Sequence, residues 1–124
     1  MVKNINAKKT ALVVDDDSLM LMLVTSILTK HNFHVIQGSN GVEAVAQYTS
    51  NKPSLIIIDM NMPIMNGCRA AHLIRTMDQD EQCKIVLFTS ESKKYFSESQ
   101  NCRAVNHIVL KSNMNELREI IGNH

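Results

Sequence analysis

Acidic side chains stand directly after two of the apolar runs in this sequence. The run Leu55–Ile58 is followed by Asp59, and the run Ala11–Val14 is followed by the triplet Asp15–Asp17. A continuous aliphatic run predicts a strand covered on both faces, as in a parallel α/β sheet. The carboxyl ends of parallel strands lie along one edge of the sheet, where ligands bind. We therefore expect the carboxylates of these two strands to converge.

A hydroxyl and an ammonium group follow two further apolar runs. Thr89 comes after Ile85–Phe88, and Lys111 comes after Ile108–Leu110. Carboxylates crowded at one edge repel one another, and Mg²⁺ relieves that repulsion while keeping waters that a phosphate can replace. A hydroxyl and an ammonium beside the metal suit a tetrahedral dianion. The set predicts phosphoryl transfer to a carboxylate, with Asp59 as the nucleophile.

The segments between the strands carry apolar residues at helical spacing. Four of them are clear, and a fifth, over residues 92–103, is poor in aliphatic side chains. Alternating strands and helices predict an α/β fold with a parallel sheet, right-handed crossovers and helices on both faces. We expect residues 1–9 to form a flexible tail and residues 10–124 to form a single domain.

The apolar spacing also predicts which helix faces are buried. In the first helix Ser18 is the expected N-cap. The expected inward residues of that helix are Met20, Leu23, Val24 and Ile27. Those of the second are Val42, Val45 and Ala46, and those of the last are Met114, Leu117, Ile120 and Ile121. Leu19, Leu21 and Met22 lie outside the expected inward face of the first helix. They are either tolerated surface apolar residues or a patch that docks a partner.

Charge and composition exclude several classes of protein. Thirteen basic and twelve acidic side chains give a net charge of +1, which argues against a nucleic-acid or anionic-membrane binder. No apolar run is long enough to span a bilayer, and the first residues lack a secretory h-region. The cysteines Cys68, Cys83 and Cys102 have no Cys-x-x-Cys spacing, which argues against a disulfide framework or a zinc site. We expect a reducing, cytoplasmic setting.

Four segments together resemble the receiver domain of two-component response regulators. They are Leu12–Asp17, Asp59–Gly67, Phe88–Glu91 and Val109–Lys111. The resemblance extends over nearly the whole chain, from about Thr10 to Asn123. It implies the flavodoxin-like doubly wound fold, a five-stranded parallel sheet of order 2-1-3-4-5 with five helices.

The resemblance also implies a metal-dependent phosphoacceptor site. Asp59 is the expected phosphoacceptor and a direct ligand of Mg²⁺ (or Mn²⁺). Asp16 and the backbone carbonyl of Asn61 are the other expected direct ligands, and Asp15 is expected to act through a bound water.

The remaining implied roles concern the phosphoryl group. Thr89 is expected to donate a hydrogen bond to it, and Lys111 is expected to pair with it. The implied donor is a phosphohistidine on a sensor histidine kinase or a histidine phosphotransfer protein. Asn61 and Glu91 occupy the positions that, in the family, tune how readily water hydrolyses the aspartyl phosphate. Polar residues at these positions indicate a receiver that dephosphorylates itself.

The sequence departs from the family pattern around the last strand. Ser112 follows Lys111 where proline is usual, and we expect a trans bond with a shifted loop because a non-proline cis bond costs about 2.5–4 kcal/mol. Ile108 occupies the position of the usual aromatic switch. These departures lie on a face through which many family members signal. We therefore expect this receiver to report its state less through that face and more through the first helix, where Leu19, Leu21 and Met22 form the candidate docking patch for the phosphodonor.

Three other functions remain as alternatives. One is a receiver-like interaction module that is not phosphorylated, which the Lys111–Ser112 departure favours and the intact acidic set disfavours. Another is a small flavin-binding protein, but the acidic triplet would repel a cofactor phosphate. The third is a haloacid-type phosphohydrolase, whose usual second aspartate is replaced here by Asn61.

Overall fold

The sheet has five strands, all of them parallel. The computed structural model describes residues 8–79, 81–90 and 102–124. The strand order is β2-β1-β3-β4-β5, which confirms the predicted flavodoxin-like topology. The strands are β1 (Lys9–Val14), β2 (Phe33–Gly38), β3 (Leu55–Ile58), β4 (Lys84–Thr89) and β5 (His107–Leu110).

Helices connect the strands as the alternating pattern predicts. Within the described ranges they are α1 (Ser18–Lys30), α2 (Gly41–Asn51), α3 (Gly67–Met77) and α4 (Met114–Gly122). The helix predicted over residues 92–103 falls mainly outside the described residues, as does the tail predicted over residues 1–9. No helix in the described chain is both long and apolar enough to cross a membrane.

Two apolar clusters pack on the opposite faces of the sheet, since successive strand side chains point to opposite sides. β3 is buried along its whole length, which confirms the prediction of a strand covered on both faces. One cluster packs the sheet against α2 and α3, and the other packs it against α1 and α4. The inward face predicted for α4 is confirmed, because Leu117 and Ile121 are fully buried and Met114 and Ile120 pack beside them.

The face predicted for α1 is partly wrong. Leu23 is 42% exposed, whereas Leu28 is fully buried and Leu21 is half-buried against the same cluster. Because residues 19–24 of this helix are all apolar, their spacing does not fix which side faces the sheet. The N-cap is Asp17 rather than Ser18, since Asp17 Oδ1 accepts a hydrogen bond from the backbone N–H of Leu19 at 3.0 Å.

The face predicted for α2 is also partly wrong. Val45 packs against the core as predicted, but Val42 is 47% exposed and the buried residues of the helix are Gly41, Ala44 and Tyr48. These residues have the helical spacing i, i+3, i+7. Glycine and alanine contribute little to a hydrophobic pattern, so the pattern favours the larger Val42 although it is exposed.

Two of the three cysteines are paired, contrary to the prediction. Cys68 in the first turn of α3 forms a disulfide with Cys102, and their Cα atoms lie 5.1 Å apart. The bridge connects segments that are distant in the chain and that the sheet topology brings together, so spacing could not reveal it. Cys83 is a free, buried thiol.

Arg75, in the last turn of α3, holds the segment that precedes β5. Its guanidinium donates to the carbonyl of Ala104 from both Nε and Nη2, and to Oδ1 of Asn106 from Nη2. Its Nη1 donates to Asp78 Oδ2 at 2.8 Å and to the carbonyl of Cys83 at 2.7 Å. One side chain therefore fastens α3, β4 and the β5 approach together.

Candidate functional site

The two strand-end aspartates are fixed by an extension of the sheet ladder. The N–H of Asp59 donates to the carbonyl of Val14 at 2.9 Å, and the N–H of Asp15 donates to that of Gly38 at 3.2 Å. Both carboxylates are buried, whereas Asp16 is exposed. One carboxylate oxygen from each of Asp15, Asp16 and Asp59 lies within 4.8 Å of the others. The strand ends thus bring three acidic groups into one cluster.

Each buried carboxylate divides its oxygens between the backbone and one ammonium group. Oδ1 of Asp15 accepts from the N–H of Asp17 at 2.9 Å, and Oδ1 of Asp59 accepts from the N–H of Met60 at 2.8 Å. The Oδ2 atoms lie 2.8 Å and 3.3 Å, respectively, from Nζ of Lys111. The ammonium group of Lys111 therefore bridges both carboxylates.

Lys111 takes this position because the β4–β5 pairing continues beyond the end of β5. Its N–H donates to the carbonyl of Thr89 at 2.8 Å, and Thr89 itself is fully buried at the end of β4. Thr89 and the exposed Asn61 both have interactions within the protein. Every described peptide bond is trans, so the trans bond predicted between Lys111 and Ser112 is confirmed. Glu91 lies outside the described residues.

The electrostatics of the cluster reflect its burial. Desolvation raises the pKa of Asp59 above its ordinary value and Asp15 adds to that rise, although the Lys111 charge opposes it. Desolvation lowers the pKa of Lys111, but its hydrogen bond to Asp15 and the charges of Asp59 and Asp15 outweigh this effect and leave the pKa raised. Lys111 therefore stays protonated, and an ionised Asp59 is held at a cost in free energy.

The loop after β3 is held rigidly against the cluster. The N–H of Gly67 donates to the carbonyl of Met60 at 2.9 Å, and that of Gly41 donates to Met65 at 3.1 Å. A Cβ atom at Gly67 would collide with the carbonyl group of Asp59. The Asn66–Gly67 pair is typical of a turn, which is the sequence signal for this loop, but the close approach of Gly67 to Asp59 depends on tertiary packing that the pair does not encode. Asn66 caps α3, because its Oδ1 accepts a hydrogen bond from the N–H of Arg69 at 2.8 Å.

The donor set fits a hard divalent cation. All three clustered side chains offer carboxylate oxygens, which are the ligands that Mg²⁺ prefers. The exposure of Asp16 leaves one side of the cluster open to solvent and to a substrate. Such an arrangement suits the binding of a phosphoryl group between a metal and an ammonium group.

An apolar surface lies on α1. Leu19 is 58% exposed, Met22 is 65% exposed, and Leu23 also faces solvent. A shallow groove of about 450 Å³ runs beside Met22 toward Gln37 of β2, and the half-buried Leu21 forms part of its floor. Of the three residues predicted for docking, Leu19 and Met22 are thus on the surface and Leu21 is largely turned inward.

Comparison with known proteins gives one consistent result. A family model described as "Response regulator receiver domain" matches residues 11–122. The chain is 30% identical over 118 residues to the autoinducer 1 sensor kinase/phosphatase LuxN of Vibrio campbellii. That match covers 95% of this chain but only 14% of LuxN, so the chain spans about one seventh of that relative.

Solved structures agree with the family match. Response regulator TrrA from Thermotoga maritima, solved in complex with Mg(2+)-BeF, is 31% identical with a TM-score of 0.83. The alignment covers 93% of this chain and 97% of TrrA. The receiver domain of Saccharomyces cerevisiae Ssk1, solved with the histidine phosphotransfer protein Ypd1, shares the fold with a TM-score of 0.80 and 24% identity. That alignment covers 92% of this chain and 86% of the other.

Proposed function

The chain belongs to the response regulator receiver domain family, and on that premise we propose that it is a phosphorelay receiver whose phosphoacceptor is Asp59. The observation that carries this proposal is the single cluster formed by Asp15, Asp16, Asp59 and the Lys111 ammonium. Receiver domains are signalling domains, and we propose that residues 10–124 form one such domain.

Asp59 acts as the nucleophile in this proposal. Its carboxylate attacks the phosphorus atom of a phosphohistidine in line, the P–N bond breaks, and the electron pair of that bond stays on the imidazole nitrogen. Lys111 then balances the charge of the phosphoryl oxygens, because its Nζ already lies 3.3 Å from the attacking carboxylate. Thr89, at the end of the neighbouring strand, donates a hydrogen bond to the same group.

Asp16, Asp59 and the backbone carbonyl of Asn61 would hold Mg²⁺ (or Mn²⁺) directly, and Asp15 would hold it through a water. When bound, the ion neutralises the carboxylates and the incoming phosphate charge. The raised pKa of Asp59 supports a cation requirement, because desolvation and the neighbouring Asp15 both disfavour its ionised form.

The proposed phosphodonor is a sensor histidine kinase or a histidine phosphotransfer protein. It would dock on α1, where Leu19 and Met22 present exposed apolar side chains. Leu23 extends this surface, and Leu21 contributes only the floor of the adjoining groove.

We also propose that the aspartyl phosphate hydrolyses by itself, with Asn61 and Glu91 setting the rate. We further propose that the domain acts in the cytoplasm.

Incubation with acetyl phosphate and Mg²⁺, followed by intact mass measurement, tests the central proposal. The wild-type chain should gain one phosphoryl group, and Asp59→Asn or an excess of EDTA should abolish the gain. The change to Asn preserves side-chain shape, so a folded but unreactive variant identifies the acceptor. Equal incorporation in Asp59→Asn would contradict the assignment. No incorporation in either protein would favour the alternative of a receiver-like interaction module that is not phosphorylated.

The docking surface needs a donor-dependent test. In Met22→Glu the introduced carboxylate would be buried against a docked partner, so it should slow transfer from a phosphorylated histidine phosphotransfer protein while leaving the reaction with acetyl phosphate unchanged. Val42→Glu is the matched control, because Val42 is an exposed aliphatic residue of α2. If Met22→Glu and Val42→Glu accept phosphate from the protein donor equally well, α1 is not the docking surface.

A further inference from the structure

The disulfide joins two segments that lie beside the acidic cluster but take no part in it. Cys68 follows the loop after β3, and Cys102 begins the described segment that leads into β5. The same segment is held at its other end by the hydrogen bonds of Arg75 to Ala104 and Asn106. The bridge and the Arg75 hydrogen bonds thus both link α3 to the β5 approach, and the Arg75 link does not depend on thiol chemistry.

A cavity of about 350 Å³ opens beside this bridge. Cys68 forms part of its wall, together with the cationic side chains of Arg69 and Arg103 and the imidazole of His72. All three of these polar side chains are exposed, and neither guanidinium forms an ion pair with a side chain in the described ranges. Unpaired positive charges in a concave site attract a small anion.

The two cysteines differ in exposure. Cys68 is 4% exposed, whereas Cys102 is only partly buried. An incoming thiolate therefore reaches Cys102 first, and Cys68 becomes the leaving group. Cys68 lies in the first turn of α3 near two arginines, and a helix N-terminus and cationic neighbours both stabilise a departing thiolate.

We propose that Cys68 and Cys102 form a redox-active pair which exchanges with an anionic low-molecular-weight thiol of the glutathione type, received by the cavity between Arg69 and Arg103. The thiolate of this molecule attacks Sγ of Cys102, the protein S–S bond breaks, and its electron pair leaves on Sγ of Cys68. A second thiol molecule then attacks the mixed disulfide. It releases the Cys102 thiolate, and both cysteine thiolates take up protons.

In this exchange two small thiols are oxidised to one small disulfide while the protein disulfide is reduced to two thiols. The reverse reaction uses the small disulfide as the oxidant. Because Arg75 still fastens Ala104 and Asn106 after reduction, the β5 approach stays docked and the bridge can reform. The proposal does not depend on phosphoryl transfer, and neither test below measures it.

The first test establishes that the pair forms and opens in the folded protein. The chain is equilibrated with oxidised or reduced glutathione, quenched with acid, denatured, alkylated with N-ethylmaleimide and weighed. Oxidised glutathione should leave one alkylated cysteine, Cys83, and reduced glutathione should give three. Three alkylated cysteines under both conditions would overturn the proposal, as would a disulfide that reduced glutathione opens only after denaturation.

The second test concerns the cavity. The rate of bridge opening by glutathione is divided by the rate with neutral 2-mercaptoethanol, each at equal thiolate concentration and low ionic strength. The double variant Arg69→Gln, Arg103→Gln should lower this ratio by about fivefold, because it removes the charges that attract the anion. Arg118→Gln, an exposed change on α4, should leave the ratio unaltered. An unchanged ratio in the double variant would rule out the cavity as the entry site.

Discussion

The ammonium nitrogen of Lys111 lies 3.3 Å from Oδ2 of Asp59. The same nitrogen lies closer, at 2.8 Å, to Oδ2 of Asp15. Lys111 thus contacts both buried carboxylates from one side and leaves the exposed Asp16 side of the cluster open. A cation placed in this way offsets only part of the negative charge of the three carboxylates, and in the proposed reaction it can pair with the phosphoryl oxygens as charge develops on them.

Lys111→Ala should therefore slow phosphorylation by acetyl phosphate by about 100-fold, the effect of removing one preorganised group that stabilises developing charge. Mg²⁺ should bind this variant at least as tightly as the wild type, because the ammonium no longer competes for the carboxylates. Rates are measured by intact mass and Mg²⁺ binding by calorimetry. Lys111→Arg keeps the charge and should be less impaired. Weakened Mg²⁺ binding together with an unchanged rate in Lys111→Ala would contradict this role.

Gly67→Ala should destabilise the fold and disturb the site together. The added methyl group meets the carbonyl of Asp59 and, at 3.2 Å, Cδ1 of Leu87, and overpacking of this kind costs about 1–3 kcal/mol. Because the displaced backbone carries Asp59, the proposed phosphoacceptor, phosphorylation should slow as well.

Gly122→Ala is the matched control, since the nearest atom to its added methyl group is 3.6 Å away on His31. Urea unfolding should place its stability close to that of the wild type. Equal stability of Gly67→Ala and Gly122→Ala would show that the Asp59 loop is not tightly packed.

The strands and the acidic cluster were predictable because their signals are local. An aliphatic run that ends at Asp59 identifies both a buried parallel strand and its carboxyl end. Parallel topology then brings Asp15, Asp59 and Lys111 to one edge, whatever their distance in sequence. The convergence of these side chains follows from the order of elements alone.

The helix faces and the disulfide were not predictable in the same way. A helix such as α1 with apolar residues at most positions can bury Leu28 and expose Leu23, because packing against the sheet decides its rotation. In α2 the contact with the loop after β3 depends on Gly41, because a Cβ atom there would collide with the carbonyl of Met65 that accepts the N–H of Gly41. Pairing of Cys68 with Cys102 depends on tertiary distance, which their spacing does not encode.

Arg75→Ala should be strongly destabilising. The change removes five hydrogen bonds and leaves the buried carboxylate of Asp78 without its ion-pair partner. Removing one partner of a buried pair costs about 3–5 kcal/mol, and we expect the low end of that range because the Arg75 side chain is 20% exposed.

Arg118→Ala serves as the control for Arg75→Ala, since a surface change on α4 should stay within about 0.5 kcal/mol of the wild type. Both variants are compared by urea unfolding under oxidising conditions, which keep the Cys68–Cys102 bridge closed. If Arg75→Ala and Arg118→Ala have the same free energy of unfolding, the hydrogen bonds of Arg75 do not hold the β5 approach in solution.

Asp59→Asn should raise the Tm of the metal-free protein at pH 7. Desolvation raises the pKa of Asp59 in the folded chain from its ordinary value of 3.8, so the folded state binds this proton more tightly than the unfolded state. The resulting loss of stability is absent below pH 3.8, grows as the pH rises, and is complete above the raised pKa. The Tm advantage of Asp59→Asn should therefore be largest at neutral pH and vanish as the pH approaches 3.8. Asp17→Asn makes the same change in net charge at an exposed residue, and it serves as the control because asparagine also caps α1. An Asp59→Asn advantage that is constant across this range would contradict the burial effect.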